Sequence, residues 1–162
     1  MQVIIRQIEE KDYEAFRRLF DEAYSEYLEF LKQKNPTQYL KERQERKEIT
    51  LARFNFYRKT GSSFVVEEDG KVVGYVASQI VGFMHDVDRL LWIEYIVVQQ
   101  KFRRRGTGLA LLRKLVEHAK FSGIDRIYTT INPDNEASIK LHLKAGFNVK
   151  DWKIASYKTR KS

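Results

Sequence analysis

The segment Trp92-Ile93-Glu94-Tyr95-Ile96-Val97-Val98-Gln99-Gln100-Lys101-Phe102-Arg103-Arg104-Arg105-Gly106-Thr107-Gly108-Leu109 sets an apolar, β-branched run directly before three arginines and two glycines. Glycine lets a backbone approach a ligand closely, and the free N–H groups that open a helix favour the oxygens of an anion. Arginine adds charge and a fork of donors. The chemistry this suits is the holding of a phosphate. The spacing excludes a P-loop, which needs Lys-Ser/Thr after its second glycine, and the dinucleotide fingerprint, which needs three glycines. Taken alone, the turn reads equally well as a basic bend whose glycines serve only geometry.

Such a turn works only if a strand delivers it and a helix leaves it. The apolar run before it predicts a strand over 90–98, and Leu112, Leu115, Val116 and Ala119 recur at helical spacing, predicting a helix over 108–121. Around this unit the chain reads as a short strand over 3–8 and an amphipathic helix over 12–31. A second, mostly solvated helix over 37–58 follows Asn35-Pro36, and a hairpin through Asp69-Gly70 joins 64–66 to 72–81. A polar loop over 84–89, a strand over 127–131, a helix over 135–145 stopped by Gly146, and one or two final strands over 147–158 complete the order. The fold class is α/β: a mixed sheet with helices on its faces, antiparallel where hairpins join strands and parallel across the helical crossover after Val98.

The 162 residues, 43% hydrophobic and 13% aromatic, suffice for one core burying roughly 70% of the unfolded surface, with no room for a second domain. Cysteine is absent, which removes disulfides, thiolate catalysis and thiolate zinc sites and points to a reducing, cytoplasmic setting. His85 and His118 lack partner spacing for a metal, so no metal is expected. The N-terminal apolar run is too short for a secretory signal, and nothing approaches a membrane span. Thirty Lys plus Arg against 22 Asp plus Glu give a net charge of +8, which favours an anionic ligand without choosing among nucleic acid, an acidic surface and a phosphorylated cofactor.

Arg103-x-x-Gly106-x-Gly108 between strand and helix resembles the cofactor-binding segment of the GNAT superfamily of acetyltransferases, whose signature is Arg/Gln-x-x-Gly-x-Gly/Ala. A second stretch, Asn135-x-x-Ser138-Ile139-x-Leu141-His142-x-x-Ala145-Gly146-Phe147, is similar to that family's Asn-x-x-Ala-Ile-x-Leu-Tyr-x-x-x-Gly-Phe. The resemblance covers about 63–158 and implies a single N-acetyltransferase domain over 1–162. Its sheet would be central, mixed and mostly antiparallel, with a splayed parallel strand pair and helices on both faces. It further implies acetyl-CoA as co-substrate and an amine as acceptor, attacked directly at the thioester, with no membrane partner; a homodimer stays open.

Carried onto this chain, the resemblance assigns the coenzyme to Ile96, Val97, Val98, Arg103, Arg104, Arg105, Gly106, Thr107, Gly108, Leu109, Asn135 and Ser138. The turn would cradle the pyrophosphate, and backbone groups of Ile96 and Val98 would pair with the pantetheine arm, the Ile96 N–H polarising the thioester carbonyl. An amine of pKa about 10.4 is free only once in about 10³ to 10⁴ molecules at pH 7, so a base helps. Glu94 is that candidate, on a face shared by strand alternation with Trp92 and Ile96, opposite Tyr95 and Val97. Its other reading is a salt-bridged surface carboxylate. His142 stands where the family has a thiolate-protonating tyrosine, on a stripe with Ser138, Leu141 and Ala145; it reads either as the acid or as packing beside the sulfur.

Two further readings differ in class. One is a family fold that binds acyl-CoA without catalysis, prompted by the histidine. The other is a nucleic-acid-binding module using Arg103 to Arg105 and the tail residues Lys158, Arg160 and Lys161 on phosphates, disfavoured because no known binding motif accompanies them. The acceptor, whether a protein N-terminus, a lysine or a small amine, would be chosen by about 21–57 and 152–157. There Tyr24, Tyr27, Phe30, Tyr39, Phe54 and Tyr57 serve either a pocket or the core.

Overall fold

The computed structural model describes residues 2–159; Arg160 and Lys161 of the basic tail lie outside the described residues. Two compact units emerge, Met1–Thr130 and Ile131–Ser162.

The first unit holds a five-stranded sheet in the order β1-β2-β3-β4-β5, with β1 Val3–Gln7, β2 Phe64–Glu68, β3 Lys71–Met84, β4 Val87–Val98 and β5 Arg126–Thr129. Neighbours are antiparallel except β4 and β5, which run parallel. The expected mixed, mostly antiparallel sheet is therefore present. Its helices are α1 Tyr13–Lys34, α2 Pro36–Glu45, α3 Leu51–Lys59 and α4 Thr107–Phe121.

Cross-strand partners share a face, so the register divides the sheet. Val65, Tyr75, Ala77 and Val97 point to one side, where Phe16, Leu19 and Phe20 of α1 and Phe54 and Tyr57 of α3 close a single apolar cluster. Tyr75 stacks on Phe16 with ring centroids 3.6 Å apart. Phe64 and its partner Val76 point to the other side, where Phe64 meets His118 of α4 at 5.4 Å and Leu111, Leu112, Leu115 and Ala119 are buried. Helices thus cover both faces of this sheet. At Gly74 the strands come so close that a Cβ would lie 2.8 Å from the Val97 carbonyl oxygen.

Three expectations about elements are corrected. The helix expected over 37–58 is two helices. Arg46 takes a positive φ of 27°, Ile49 is buried at 1% exposure, and Thr50 Oγ1 accepts the Arg53 N–H at 3.2 Å to start α3. With no buried residue of its own, α2 has nothing to hold it in register once the core takes Ile49. The expected polar loop over 84–89 is a two-residue hairpin turn: Met84 pairs with Val87, and His85 and Asp86 both have positive φ, as a type I′ turn requires.

The second unit carries α5, Glu136–Lys144, ended by Gly146 at φ 90°. The one or two strands expected over 147–158 are not formed among the described residues, which carry no regular element. Alternating apolar and charged residues make a strand only where an edge takes up their ladder, and Ile154 and Tyr157 are instead 75% and 89% exposed. No helix among the described residues is long and apolar enough to cross a membrane.

Candidate functional site

Glu94 stands on a β-bulge. Ala77 pairs with Tyr95 and Ser78 with Ile93, so Glu94 is an extra residue on β4. Gln79 pairs with Trp92, and its Nε2 donates to Glu94 Oε1 at 2.8 Å, which places Trp92, Glu94 and Tyr95 on the side of α1 and α3. Ile96 pairs with Val76 and faces α4. The simple alternation expected from sequence, with Ile96 beside Glu94 and Tyr95 opposite, is thereby corrected: the bulge inserts one residue and flips everything after it. Tyr95 meets Phe20 at 5.2 Å and Tyr57 at 6.3 Å, both edge-on. Burial, reinforced by the Glu94 carboxylate, pushes the Tyr57 phenol well above its usual range, so it stays a neutral O–H beside the exposed carboxylate.

Past the bulge β4 parts from β5. Their register runs from Leu90↔Arg126 to Ile93↔Thr129, where Thr129 Oγ1 donates to the Ile93 carbonyl at 3.1 Å. β4 continues to Val98 paired with β3 alone, Ile96 against Val76, Val97 against Tyr75 and Val98 against Gly74. The residues expected to meet a pantetheine arm thus lie on a stretch of β4 that pairs with β3 and, among the described residues, has no strand partner on its β5 side. The side chain of Val97 itself belongs to the core cluster.

A turn of 3-10 helix, Gln100–Phe102, leads from β4 to α4. Arg104 adopts φ 59° and Gly106 φ 84°, and Gly106 is the residue that starts α4. No side chain caps it, so the N–H groups that open α4, those of Thr107, Gly108 and Leu109, lie outside the intrahelical ladder, aligned with the positive end of the helix dipole. A Cβ on Gly106 would meet nothing within 4 Å, leaving this approach open to an anion. Thr107 Oγ1 donates back to the Phe102 carbonyl at 3.1 Å and braces the bend.

Of the arginines, Arg103 is held most closely: Nε donates to the Val98 carbonyl at 2.7 Å and its two terminal nitrogens to Glu26 at 2.6 and 3.0 Å. Arg105 lies 3.7 Å from Glu68 and over the Phe102 ring. Beside the head of α4, Gly106, Leu109, Ala110, Arg113, Lys114, Glu117 and Ile5 line a groove of about 400 Å³. Sequence reasoning missed Gln79, Glu26, Arg113 and Lys114. Only the last two had a readable signal, their helical spacing from Leu109 and Ala110.

In the second unit, Asn135 caps α5, its Oδ1 accepting the Ser138 N–H at 3.0 Å. His142 is buried. Its Nδ1 lies 2.8 Å from the Ser138 carbonyl, so that nitrogen carries the proton, while Nε2 is buried with no partner among the described residues. The Phe147 ring meets it edge-on at 5.1 Å. Burial lowers its pKa below 6.5, the Ser138 carbonyl pulling weakly the other way. His118 is likewise shifted down, by burial and then by Lys114, and lies 3.2 Å from Ser62 Oγ, a packing role; His85 lies against Tyr128.

Known proteins share this fold. The described fold superposes on an aminoglycoside N-acetyltransferase crystallised with CoA at a TM-score of 0.71 and 22% identity, covering 98% of this chain and 96% of the other. It also superposes on an aminoglycoside acetyltransferase from a soil metagenome, at 0.70 and 16%. In sequence the chain is 35% identical over 82 residues to an L-2,4-diaminobutyric acid acetyltransferase of Nocardia farcinica, covering 50% of this chain and 40% of the relative. It is 28% identical over 153 residues to an uncharacterised N-acetyltransferase of Methanocaldococcus jannaschii, covering 91% and 61%. The chain spans about half the length of the curated relatives it matches. The profile of the acetyltransferase (GNAT) family matches residues 11–147, and with the bulged, splayed β4 and the glycine-headed α4 inside that span, the chain belongs to the acetyltransferase (GNAT) family.

Proposed function

We propose that this chain moves an acetyl group from acetyl-CoA to the primary amine of a small molecule by direct attack on the thioester. The observation that carries the reading is the uncapped, glycine-headed start of α4 after a strand whose last residues have no partner strand on the β5 side among the described residues and whose bulge presents a carboxylate. Acetyl-CoA supplies the activated acyl group. Thr107, Gly108 and Leu109 offer their N–H groups to its pyrophosphate, and Ile96 and Val98 offer backbone groups to its pantetheine arm. The Ile96 N–H steadies the charge that grows on the thioester oxygen. Glu94, held by Gln79, takes the proton of the ammonium form; the freed nitrogen forms the C–N bond, the C–S bond breaks, and the second proton shed by the nitrogen passes through solvent to the departing thiolate, which leaves as the thiol. His142 holds its proton on the Ser138 carbonyl, so as an acid it would first have to gain a second proton.

A small amine is favoured over a protein chain because the relatives named above act, by name, on diaminobutyric acid and aminoglycosides. The whole chain is taken as one catalytic domain. Calorimetric titration with acetyl-CoA, followed by a mass-spectrometric screen of amino acids, diamines and aminosugars, tests the reading. It expects micromolar binding and one product heavier by an acetyl group per thiol released. Binding without any acylated amine would leave a coenzyme-binding protein, and no binding would remove the reading altogether.

A further inference from the structure

The turn that follows β4 is gripped from outside by α1. Gln99, just before the 3-10 turn, donates from Nε2 to Glu22 Oε2 at 3.3 Å, and Arg103, just after it, makes a bidentate pair with Glu26 at 2.6 and 3.0 Å. Glu22 and Glu26 stand four residues apart, one helical turn on the same face of α1. Arg103 also reaches back with Nε to the Val98 carbonyl at 2.7 Å, so one guanidinium joins strand end, turn and helix. Three of its five N–H groups are committed to these partners, which turns the fork of the guanidinium toward α1.

We propose that Glu26 and Arg103 are positioning residues for the coenzyme: the pair is a strap by which α1 fixes the bend between β4 and α4, and Arg103 acts by holding the backbone donors in place and not as a phosphate ligand. This rests on the reading of the bend as the coenzyme site. Two turn residues, Arg104 and Gly106, sit at positive φ, a conformation that loosens readily unless its flanks are fixed. The strap and Gln99–Glu22 bracket the 3-10 turn that leads into these residues, and Thr107 Oγ1 on the Phe102 carbonyl ties their far side. A bidentate guanidinium–carboxylate pair is directional, unlike a point-charge contact, and suits this use.

The test is a double-mutant cycle on coenzyme A binding, measured by calorimetry with wild type, Glu26→Gln, Arg103→Gln and the double variant, with acetyl-CoA KM and kcat measured alongside. Both side chains are about 40% exposed, so the folds should persist, and each melting curve checks this. The expected result is about a three- to fivefold loss of affinity in either single variant and no further loss in the double. The KM for acetyl-CoA should rise with it while kcat at saturating coenzyme holds. If Glu26→Gln leaves affinity unchanged or tightens it while Arg103→Gln weakens it, Arg103 is a phosphate ligand freed by losing its partner, and the strap is refuted. Multiplying losses in the double variant, or no loss in either single one, refute it as well. Failure of wild-type protein to bind coenzyme A is a separate outcome that removes the coenzyme reading and the purpose of the strap with it.

Discussion

Glu94 sits where it does because β4 carries one residue more than β3 between Ala77 and Ser78, and a bulge re-aims the side chain it inserts. Among the described residues the Gln79 amide holds one of its carboxylate oxygens, and in the proposed reaction the other meets the substrate. Gln79→Leu is therefore expected to lower kcat by roughly three- to tenfold, the worth of one solvent-exposed hydrogen bond, with the coenzyme KM unmoved; steady-state kinetics check this. His142 behaves differently from a tyrosine at the same place. Its proton is on Nδ1 and burial depresses its pKa, so at pH 8 the ring has no proton to spare, and His142→Phe is expected to keep activity there within about threefold. The same shift has a consequence for stability. The unfolded chain binds the proton more readily than the fold does, so stability is full above about pH 6.5 and falls as pH drops below it toward the lower folded value. Melting temperatures from pH 8 to 5 should fall less steeply in His142→Phe, with His118 contributing the same sign in both proteins.

Elements explain what the sequence could and could not reveal. Arg103 to Gly108 was legible because its chemistry is local: glycine tolerance of positive φ and a helix start are properties of consecutive residues, and Gly106 does take φ 84°. The bulge was not, since it belongs to the register between two strands, and nothing in Ile93-Glu94-Tyr95 marks it. The two-residue turn at His85 and Asp86 lacks the Asn-Gly or Asp-Gly that signals such turns. The break between α2 and α3 follows from a core that claims Ile49, which only the packed structure displays. Residues 147–158 alternate like a strand but find no ladder among the described residues. A test follows at Gly106. Because a Cβ there touches nothing, Gly106→Ala is penalised only by its backbone conformation, about 1 kcal/mol, or roughly 2–4 °C in Tm. Gly106→Val adds bulk in front of the α4 donors and should abolish acetyl-CoA binding in calorimetry while the protein still melts cooperatively.

At the scale of the whole molecule, the net charge of +8 draws an anion toward any site, and the fold decides where it is held. Steering is screened by salt whereas short hydrogen bonds are not, so acetyl-CoA affinity should weaken only a few-fold between 50 and 500 mM KCl. Saturating coenzyme, at about 100 times its Kd, should stabilise the protein by roughly 2.7 kcal/mol, read as a rise in Tm. The measurement closest to the central claim is a single turnover at pH 7 with enzyme in excess over acetyl-CoA and an accepted amine present, comparing wild type with Glu94→Gln. The account predicts transfer of the acetyl group to the amine matched by thiol release, slowed about 10² to 10³-fold in the variant at equal coenzyme affinity and partly recovered at high pH, where the amine is already free. Transfer at the wild-type rate by Glu94→Gln at pH 7 would contradict it.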